Sequence, residues 1–277
     1  MANTAQSIIP TTTPVRAFEA HEGTICAVAL FRDRQRMVTG SKDMTLRLWN
    51  LKSGTVSKIM KGHRSWVQCV VVSRDGQWMV SCDLHGVLII WNGETGEHLG
   101  RPFQAHNKWI RWMSLSPDGM MLATGSSDMT TKIWNTENWK PQGNPIDCGS
   151  EVFCVRYSPS GGLLAIATIK DIQIWDARTR KCIANFKAHA RHSNIIYDIA
   201  VNTRGTLIAS ASHDNHVRLW RLSDRQTIAI FEHVGYVFRV TFSVDGKHII
   251  SGGDDKRVSK WAIPENALPN SRVSRHP

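Results

Sequence analysis

A histidine, a hydroxyl residue and an aspartate recur along the chain at fixed distances before a tryptophan. Ser or Thr lies ten residues before the tryptophan, the acid six before, and His 28 before or, in one repeat, 31 before. These are the components of a nucleophilic triad. Because a catalytic site occurs once in a chain, a fourfold recurrence favours a structural role. The four sets are His21, Thr39, Asp43, Trp49; His106, Thr124, Asp128, Trp134; His189, Ser210, Asp214, Trp220; and His233, Ser251, Asp255, Trp261.

Motifs of familiar enzymes and metal sites are absent from the sequence. It has no GxxxxGK[ST] phosphate loop, no HExxH, no GxSxG and no GxGxxG. Of the twelve histidines, five occupy the recurring position, one per repeat, so they cannot converge on one ion. The six cysteines form no CxxC pair, which indicates buried, reduced thiols. The sequence therefore predicts no enzyme activity, no metal and no cofactor.

The spacing of the tryptophans indicates the elements that position these residues. Six of the eleven tryptophans are separated by 42, 43, 41, 45 and 41 residues. Each unit contains four short apolar runs joined by Gly, Asp and Pro turns, which is typical of an antiparallel meander. One such sheet cannot bury both faces alone, but several can when they stack around an axis. The sequence thus predicts an all-β propeller. The six periodic residues are Trp49, Trp91, Trp134, Trp175, Trp220 and Trp261.

Over residues 15–262 the chain closely resembles the WD-repeat family. The resemblance is carried by Gly62-His63 and similar pairs at the start of each unit, by the Asp-Gly turns, and by endings such as Trp49-Asn50. It implies a propeller of four-stranded antiparallel blades over residues 14–263, with six blades, or alternatively an incomplete seven-bladed ring. We expect disordered tails at 1–13, which is Thr-rich, and at 264–277. The predicted repeats are 18–50, 60–92, 103–135, 146–176, 186–221 and 231–262.

The resemblance also implies how the ring closes. In the family, the outer strand of one blade is followed by the three inner strands of the next. The segment from Pro14 to Ala20 has the character of an outer strand with no blade before it, and the last unit ends at Trp261 without a fourth strand. We therefore expect the N-terminal strand to pair into the last blade and close the ring.

In the family, the four recurring residues form a hydrogen-bonded tetrad in which Asp holds His, His meets the hydroxyl, and the hydroxyl meets the indole. The second and fourth units depart from this pattern. The second holds His85 in the acid's place, with Asp83 two residues earlier; the fourth has no histidine, and Lys170 or Asp171 falls where the acid should be. By this criterion the fourth blade is the weakest, through drift of a tolerant repeat or because a partner docks there.

Partner-binding residues are carried over from the family by position, just after the tetrad His, just before the tetrad Asp and along the first strand. Aromatic side chains mixed with Lys and Arg are typical of interface hot spots. Packing between blades is an alternative role for Trp66, Trp109 and Trp112. The expected partners are proteins, in particular acidic peptides or domains. The residues are Lys42, Trp66, Lys108, Trp109, Arg111, Trp112, Tyr236 and Arg239.

The sequence thus favours a non-catalytic scaffold for protein–protein interaction, and two alternatives remain. The tetrapeptide Trp175-Asp176-Ala177-Arg178 is similar to the WDxR element of substrate receptors in cullin-RING ubiquitin ligases. A net charge of +11, spread along the chain, favours nucleic-acid association. No apolar run is long enough for a membrane helix, so we expect an intracellular protein, cytoplasmic or nuclear, that acts as a monomer within a larger complex.

Overall fold

The computed structural model describes residues 17–186 and 195–267, and this part of the chain is built almost entirely from antiparallel strands. They form five sheets of four strands and one of three. Strands that are neighbours in sequence are neighbours in a sheet, so each repeat folds as a simple meander, here called a blade. The prediction of an all-β fold built from four-stranded antiparallel blades is confirmed.

The strand bounds follow the repeats. The first two blades contain β1 (Ile25–Leu30), β2 (Arg36–Ser41), β3 (Thr45–Asn50) and β4 (Thr55–Lys61), then β5 (Val67–Val72), β6 (Trp78–Asp83), β7 (Val87–Asn92) and β8 (Phe103–Gln104). The next two contain β9 (Ile110–Leu115), β10 (Met121–Ser126), β11 (Thr130–Asn135) and β12 (Ile146–Asp147), then β13 (Val152–Tyr157), β14 (Leu163–Thr168), β15 (Ile172–Asp176) and β16 (Cys182–Phe186). The last two contain β17 (Ile196–Val201), β18 (Leu207–Ser212), β19 (His216–Arg221) and β20 (Thr227–Glu232), then β21 (Val237–Phe242), β22 (His248–Gly253) and β23 (Val258–Ala262), followed by a 3-10 turn at Glu265–Ala267.

Glycine closes the turn between the first and second strands of most blades. Gly76, Gly119 and Gly161 adopt φ values of 73°, 77° and 78°, a conformation that side chains disfavour. Their turns are the Asp-Gly and Ser-Gly signals that the sequence displays. These turns set the register of the hairpins and so place the apolar side chains of both strands on the faces between blades.

The hydrophobic core lies between consecutive blades. Five clusters of buried side chains occur in the described residues, and each joins one blade to the next, from blades 1 and 2 through to blades 5 and 6. A small residue of one blade, here called the socket, contacts the first apolar residue of the next blade, here called the knob. A Cβ added at the socket Gly40 would lie 2.6 Å from Cγ1 of the knob Val67, and one added at Gly125 would lie 2.5 Å from Val152 Cγ1. The small residue in one blade therefore receives the apolar residue that begins the next.

The knob position is buried in five blades and exposed in the first. The first residue of the first strand is fully buried in blades 2 to 6, whereas Ile25 is 44% exposed. Three residues further on, Val28 is 59% exposed although its equivalents are 0–6% exposed. Blade 1 thus presents an uncovered apolar face of the same pattern that the other blades bury. The buried knobs are Val67, Ile110, Val152, Ile196 and Val237.

Blade 6 shows the complementary exposure on its opposite face. The residue three before the repeat tryptophan is fully buried in blades 1 to 5, whereas Val258 is 81% exposed. An added Cβ at Gly252, the socket position of blade 6, would meet only the carbonyl oxygen of Arg257 within 4 Å. Within residues 195–267, β23 carries no fourth strand. The residues buried in the other blades are Leu46, Leu88, Thr131, Ile172 and Val217.

The predicted closing strand lies largely outside the described residues. Positions 14–16 are not described, and Ala17–Ala20 form no strand. Phe18 nevertheless packs edge-on against Trp49, with ring centroids 5.6 Å apart. Phe103 and Phe186, three residues before their repeat histidines, contact the tryptophan of the following blade at 5.4 and 5.7 Å. Phe18 therefore takes the place that a fourth-strand aromatic takes ahead of other blades.

No helix in the described ranges is long and apolar enough to cross a membrane. The predicted tails, 1–13 and most of 264–277, lie outside the described residues, as does the segment 187–194 that contains His189 and His192.

Candidate functional site

In blades 1, 3 and 6 the recurring residues meet in one hydrogen-bonded chain. In blade 1, His21 Nδ1 lies 2.7 Å from Asp43 Oδ2, and His21 Nε2 lies 2.7 Å from Thr39 Oγ1. The indole of Trp49 donates to the same hydroxyl at 2.8 Å. Each polar side-chain group of this tetrad thereby has a hydrogen-bond partner. The corresponding sets are His106, Thr124, Asp128, Trp134 and His233, Ser251, Asp255, Trp261, with contacts of 2.7–3.0 Å.

Blade 2 builds the same chain with a displaced acid. His63 Nδ1 lies 2.9 Å from Asp83 Oδ2, Nε2 lies 2.6 Å from Ser81 Oγ, and Trp91 donates to that hydroxyl at 2.8 Å. Asp83 stands eight residues before the tryptophan, whereas the other acids stand six before. Although the second unit lacks an acid at the expected position, Asp83 forms the hydrogen bond to the tetrad histidine in its place.

Blade 4 replaces the histidine chain with an amide. The indole of Trp175 donates to Gln173 Oε1 at 3.1 Å, and the Gln173 amide donates to Cys148 O at 2.9 Å and to Asp171 Oδ1 at 3.1 Å. Thr168 donates to the same Asp171 oxygen at 2.7 Å. Gln173 lies two residues before the tryptophan, where the other repeats have no glutamine, so its role could not be predicted from the repeat pattern.

Blade 5 is described only in part, because His189 lies outside the described residues. Trp220 donates to Ser210 Oγ at 3.0 Å, as the pattern requires. Asp214 forms an ion pair with Arg218, and burial raises its pKa. In blade 1, by contrast, burial alone would raise the pKa of Asp43, but hydrogen bonds from Thr45 and His21 hold it at about 2.

The lowered pKa of Asp43 predicts a defined acid sensitivity. Asp43 binds a proton less tightly in the folded state than in the unfolded state, where its pKa is 3.8. The stability that ionised Asp43 contributes is therefore fully present above pH 3.8 and is lost as the pH falls towards about 2. We expect Asp43→Asn to lower the urea midpoint clearly at about pH 7 and by about half as much at about pH 3. Equal losses at both pH values would contradict the assignment. Glu94→Gln, at an exposed turn position of blade 2, is the control.

The tetrads brace the loops at one end of the blades, here called the top surface. In blade 1, Asp43 accepts from the backbone N–H of Glu22, and Lys42 N–H donates to Thr24 O at 2.9 Å. The same backbone bond joins Ser127 to Trp109 and Asp254 to Tyr236 in blades 3 and 6. The loop before each first strand and the turn before each third strand are therefore fixed side by side.

Cations lie over aromatic rings on the top surface of blades 1 to 4. The ammonium of Lys42 is 4.2 Å from the ring centroid of Trp66, which is 42% exposed. The guanidinium of Arg111 is 4.2 Å from the ring of Phe153 and 5.1 Å from that of Trp109. Such contacts fix flexible cations at little entropic cost to a later binding event.

An aromatic belt continues across blades 4 to 6. Tyr197 contacts Phe153 at 6.2 Å and Phe238 at 5.1 Å, and His213 stacks on Tyr236 at 3.6 Å. Tyr236 is 39% and Phe238 36% exposed. Phe153 stands in the register of Arg111, one residue into the first strand. The missing histidine of the fourth unit removes the landmark from which its position could be counted.

Below this belt, the predicted residues Trp112 and Arg239 lie beside a polar cluster that includes the buried Asp198. Trp112 is half-buried and lies under two guanidinium groups, 5.1 Å from Arg156 and 4.6 Å from Arg239. Arg156 also pairs with the buried Asp198 at 3.0 Å. Trp112 packs against the clusters on both sides of blade 4, which favours the alternative of packing for this residue.

The ligase-like tetrapeptide spans the last two residues of β15 and the first two of the turn that follows. Asp176 Oδ1 accepts from the backbone N–H groups of Arg178 and Thr179, and Arg178 is exposed. The carboxylate is thus occupied in shaping the turn. In the described part of the chain, no group of three or more His, Cys, Asp or Glu side chains could hold a metal ion.

Comparison with known proteins identifies relatives of several kinds. The family described as "WD domain, G-beta repeat" matches residues 12–50, 54–92, 97–135, 180–221 and 225–262, and the unmatched stretch 136–179 contains the first three strands of blade 4. Cross-pathway control WD-repeat protein 2 of Flammulina velutipes is 37% identical over 237 residues, which are 82% of this chain and 74% of that protein.

Other relatives are more distant or shorter matches. The U3 small nucleolar RNA-associated protein 15 homolog of Xenopus laevis is 23% identical over 95% of this chain, which spans 43% of that protein's length. Human pre-mRNA-processing factor 17 is 30% identical over 40% of the chain, covering 20% of that protein. With five repeats matched and the tetrad geometry in place, the chain belongs to the WD-repeat family.

Proposed function

We propose that the protein is a non-catalytic interaction scaffold that presents its top surface and channel mouth to partner proteins. The observation that carries the proposal is the exposure of large aromatic side chains among fixed cations on one surface: Trp66, Trp109 and Tyr236 are 42%, 47% and 39% exposed. Aromatic and Arg side chains of this kind contribute most of the energy in protein interfaces. The relatives named for cross-pathway control and pre-mRNA processing support a regulatory or complex-associated role.

Pull-down from lysate with top-surface variants tests this function. We expect Trp66→Ala combined with Trp109→Ala to weaken partner capture at least about tenfold, because each hot-spot ring contributes roughly 2 kcal/mol. The matched control is Ile59→Ala combined with Ile230→Ala, since both are exposed apolar residues on outer strands. Capture that is unchanged in the top-surface variant, or lost equally in the control, would count against the proposal.

Nucleic-acid association is the second candidate, and two observations favour it. The net charge is +11, and one relative is named for a small nucleolar RNA. Electrostatic binding of nucleic acid depends steeply on salt. Retention on a heparin or RNA column that vanishes between low and physiological salt would support it; no retention at low salt would dismiss it. The ubiquitin-ligase role rests on the tetrapeptide Trp175-Asp176-Ala177-Arg178 alone and predicts co-purification with a ligase adaptor.

We propose further that the six blades close directly into a ring, with the segment from Pro14 completing blade 6. Ile25 is a knob without a socket, and Gly252 is a socket without a knob. In the other blades the equivalents of these two residues pack against each other. Ile25 packed against Gly252 would supply the contact that both residues lack. The packing of Phe18 on Trp49 supports the placement of the closing strand. We expect the closed ring to act inside the cell as a monomer within a larger complex.

A further inference from the structure

A cavity of about 560 Å³ opens on the top surface between blades 2, 3 and 4. Its walls include the charged and aromatic side chains of Lys108, Trp109, Arg111 and Glu151, together with the hydroxyl of Ser127 and the imidazole of His85. A volume of this order accommodates one or two side chains of a peptide. The chemistry of these lining residues determines which side chain the cavity would recognise.

His85 reaches the cavity because the tetrad acid of blade 2 is displaced. In blades 1 and 3 the residue six before the tryptophan is Asp43 or Asp128, whose carboxylate is bonded to the tetrad histidine. In blade 2 that carboxylate comes from the buried Asp83, so position 85 carries an imidazole that is exposed and lines the cavity. The displacement removes a negative charge from the rim and supplies a hydrogen-bond donor.

Arg111 is held in one orientation before any ligand arrives. Its Nε donates to Ser127 Oγ at 2.8 Å, and its Nη2 donates to Glu151 Oε2 at 3.3 Å. The rings of Phe153 and Trp109 lie 4.2 and 5.1 Å from the guanidinium. Its Nη1 has no partner among the residues that the structure describes. A prefixed donor loses little entropy when it binds an anion.

The charges that line the cavity sum to one positive unit. Arg111 is balanced by Glu151 at 3.3 Å, whereas Lys108 has no carboxylate within ion-pair distance in the described chain. A monoanion would neutralise this excess, and a phosphate dianion would bring one negative charge too many beside Glu151. Trp109, 47% exposed, offers an apolar face next to these donors.

We infer that this cavity binds the carboxylate of one Glu or Asp side chain in a partner peptide, with an apolar neighbour of that residue packed on Trp109. Lys108 and the fixed Arg111 receive the charge, and His85 adds a donor. This inference rests on the proposed scaffold function and names the chemistry of its partner.

Selection from a phage-displayed library of random dodecapeptides tests the inference. With the unmodified protein we expect selected peptides to be enriched in Glu or Asp beside an aromatic or aliphatic residue. Lys108→Glu should abolish this enrichment. Lys58→Glu makes the same charge change on an exposed outer strand and should preserve it. Peptides without acidic enrichment, or the same peptides with Lys108→Glu, would overturn the inference.

The selected peptide then separates the anions. Its Glu→Gln form is expected to bind at least tenfold more weakly by fluorescence anisotropy, and its Glu→phosphoserine form no more tightly than the carboxylate. Tighter binding of phosphoserine would overturn the choice of a carboxylate. If no peptide is selected while Trp66→Ala with Trp109→Ala still abolishes capture from lysate, the inference fails and the scaffold function stands.

Discussion

Replacing Asp83 with serine is expected to destabilise the protein by about 3 kcal/mol, because it removes a buried carboxylate that accepts three hydrogen bonds. The carboxylate is 1% exposed and bonds the imidazole of His63 at 2.9 Å. Its other oxygen accepts from the backbone N–H groups of His85 and Val87 at 2.9 and 3.1 Å. The loss leaves three donors without their acceptor, and the His63 side chain is fully buried, so water cannot take the place of the carboxylate there.

A second substitution is expected to restore most of that loss. In blades 1 and 3 the residue eight before the tryptophan is Ser41 or Ser126, and its hydroxyl accepts from the backbone N–H of the tetrad aspartate. Asp83→Ser with His85→Asp rewrites blade 2 into this arrangement. The new carboxylate would face Val87 N–H, the equivalent of the N–H that Asp43 accepts from Thr45. Recovery of about 2 kcal/mol would agree with a typical buried charged hydrogen bond.

Urea unfolding of the single and double variants measures both effects. Asp75→Ser, in an exposed turn of the same blade, is the matched control and should cost only about 1 kcal/mol, because water can replace the exposed carboxylate that accepts from Ser73 Oγ and Gln77 N–H. A single variant as stable as this control would refute the assignment of Asp83 to the tetrad. A double variant no more stable than the single one would show that the displaced acid cannot be moved back.

This pair of substitutions illustrates what the repeat pattern could predict. Fixed offsets from the tryptophan identify the residues of blades 1, 3 and 6, since their backbones place equal offsets at equal positions. They fail in blade 2 because a carboxylate two residues away reaches the same imidazole and the same N–H of Val87. They fail in blade 4 because the indole of Trp175 donates to the amide oxygen of Gln173 instead of to a hydroxyl. The natural departures in blades 2 and 4 both preserve hydrogen bonds between residues that lie close together in the fold. The spacing of residues along the sequence does not show such contacts.

The sequence predicts which residues lie on the top surface, but it does not predict which of their side chains contact each other. The offsets from the tetrad predict that Lys42, Trp66 and Trp109 belong to neighbouring loops. They do not predict that Arg111 lies between two rings, because Phe153 comes from the blade in which the landmark histidine is missing. They place Trp112 among binding residues, whereas two arginines and the inter-blade core surround its indole.

Ring closure predicts that Ile25→Asp is strongly destabilising although Ile25 is 44% exposed in the structure. If the knob enters the socket at Gly252 in solution, an aspartate there is buried without a partner and costs about 3 kcal/mol or more. If the face stays uncovered, the same change costs less than about 0.5 kcal/mol, as exposed substitutions do. Val258→Asp, on the opposite free face, should follow Ile25→Asp in either case.

Two matched variants calibrate the result. Val237→Asp changes the equivalent knob of blade 6, which is fully buried, and gives the cost of an aspartate in a filled socket. Val244→Asp changes a fully exposed turn residue of the same blade and gives the cost on a free surface. Free energies of unfolding for Ile25→Asp and Val258→Asp that match Val237→Asp would establish closure. Values that match Val244→Asp would show that the two faces remain apart, and the proposal of a direct six-bladed ring would then be withdrawn.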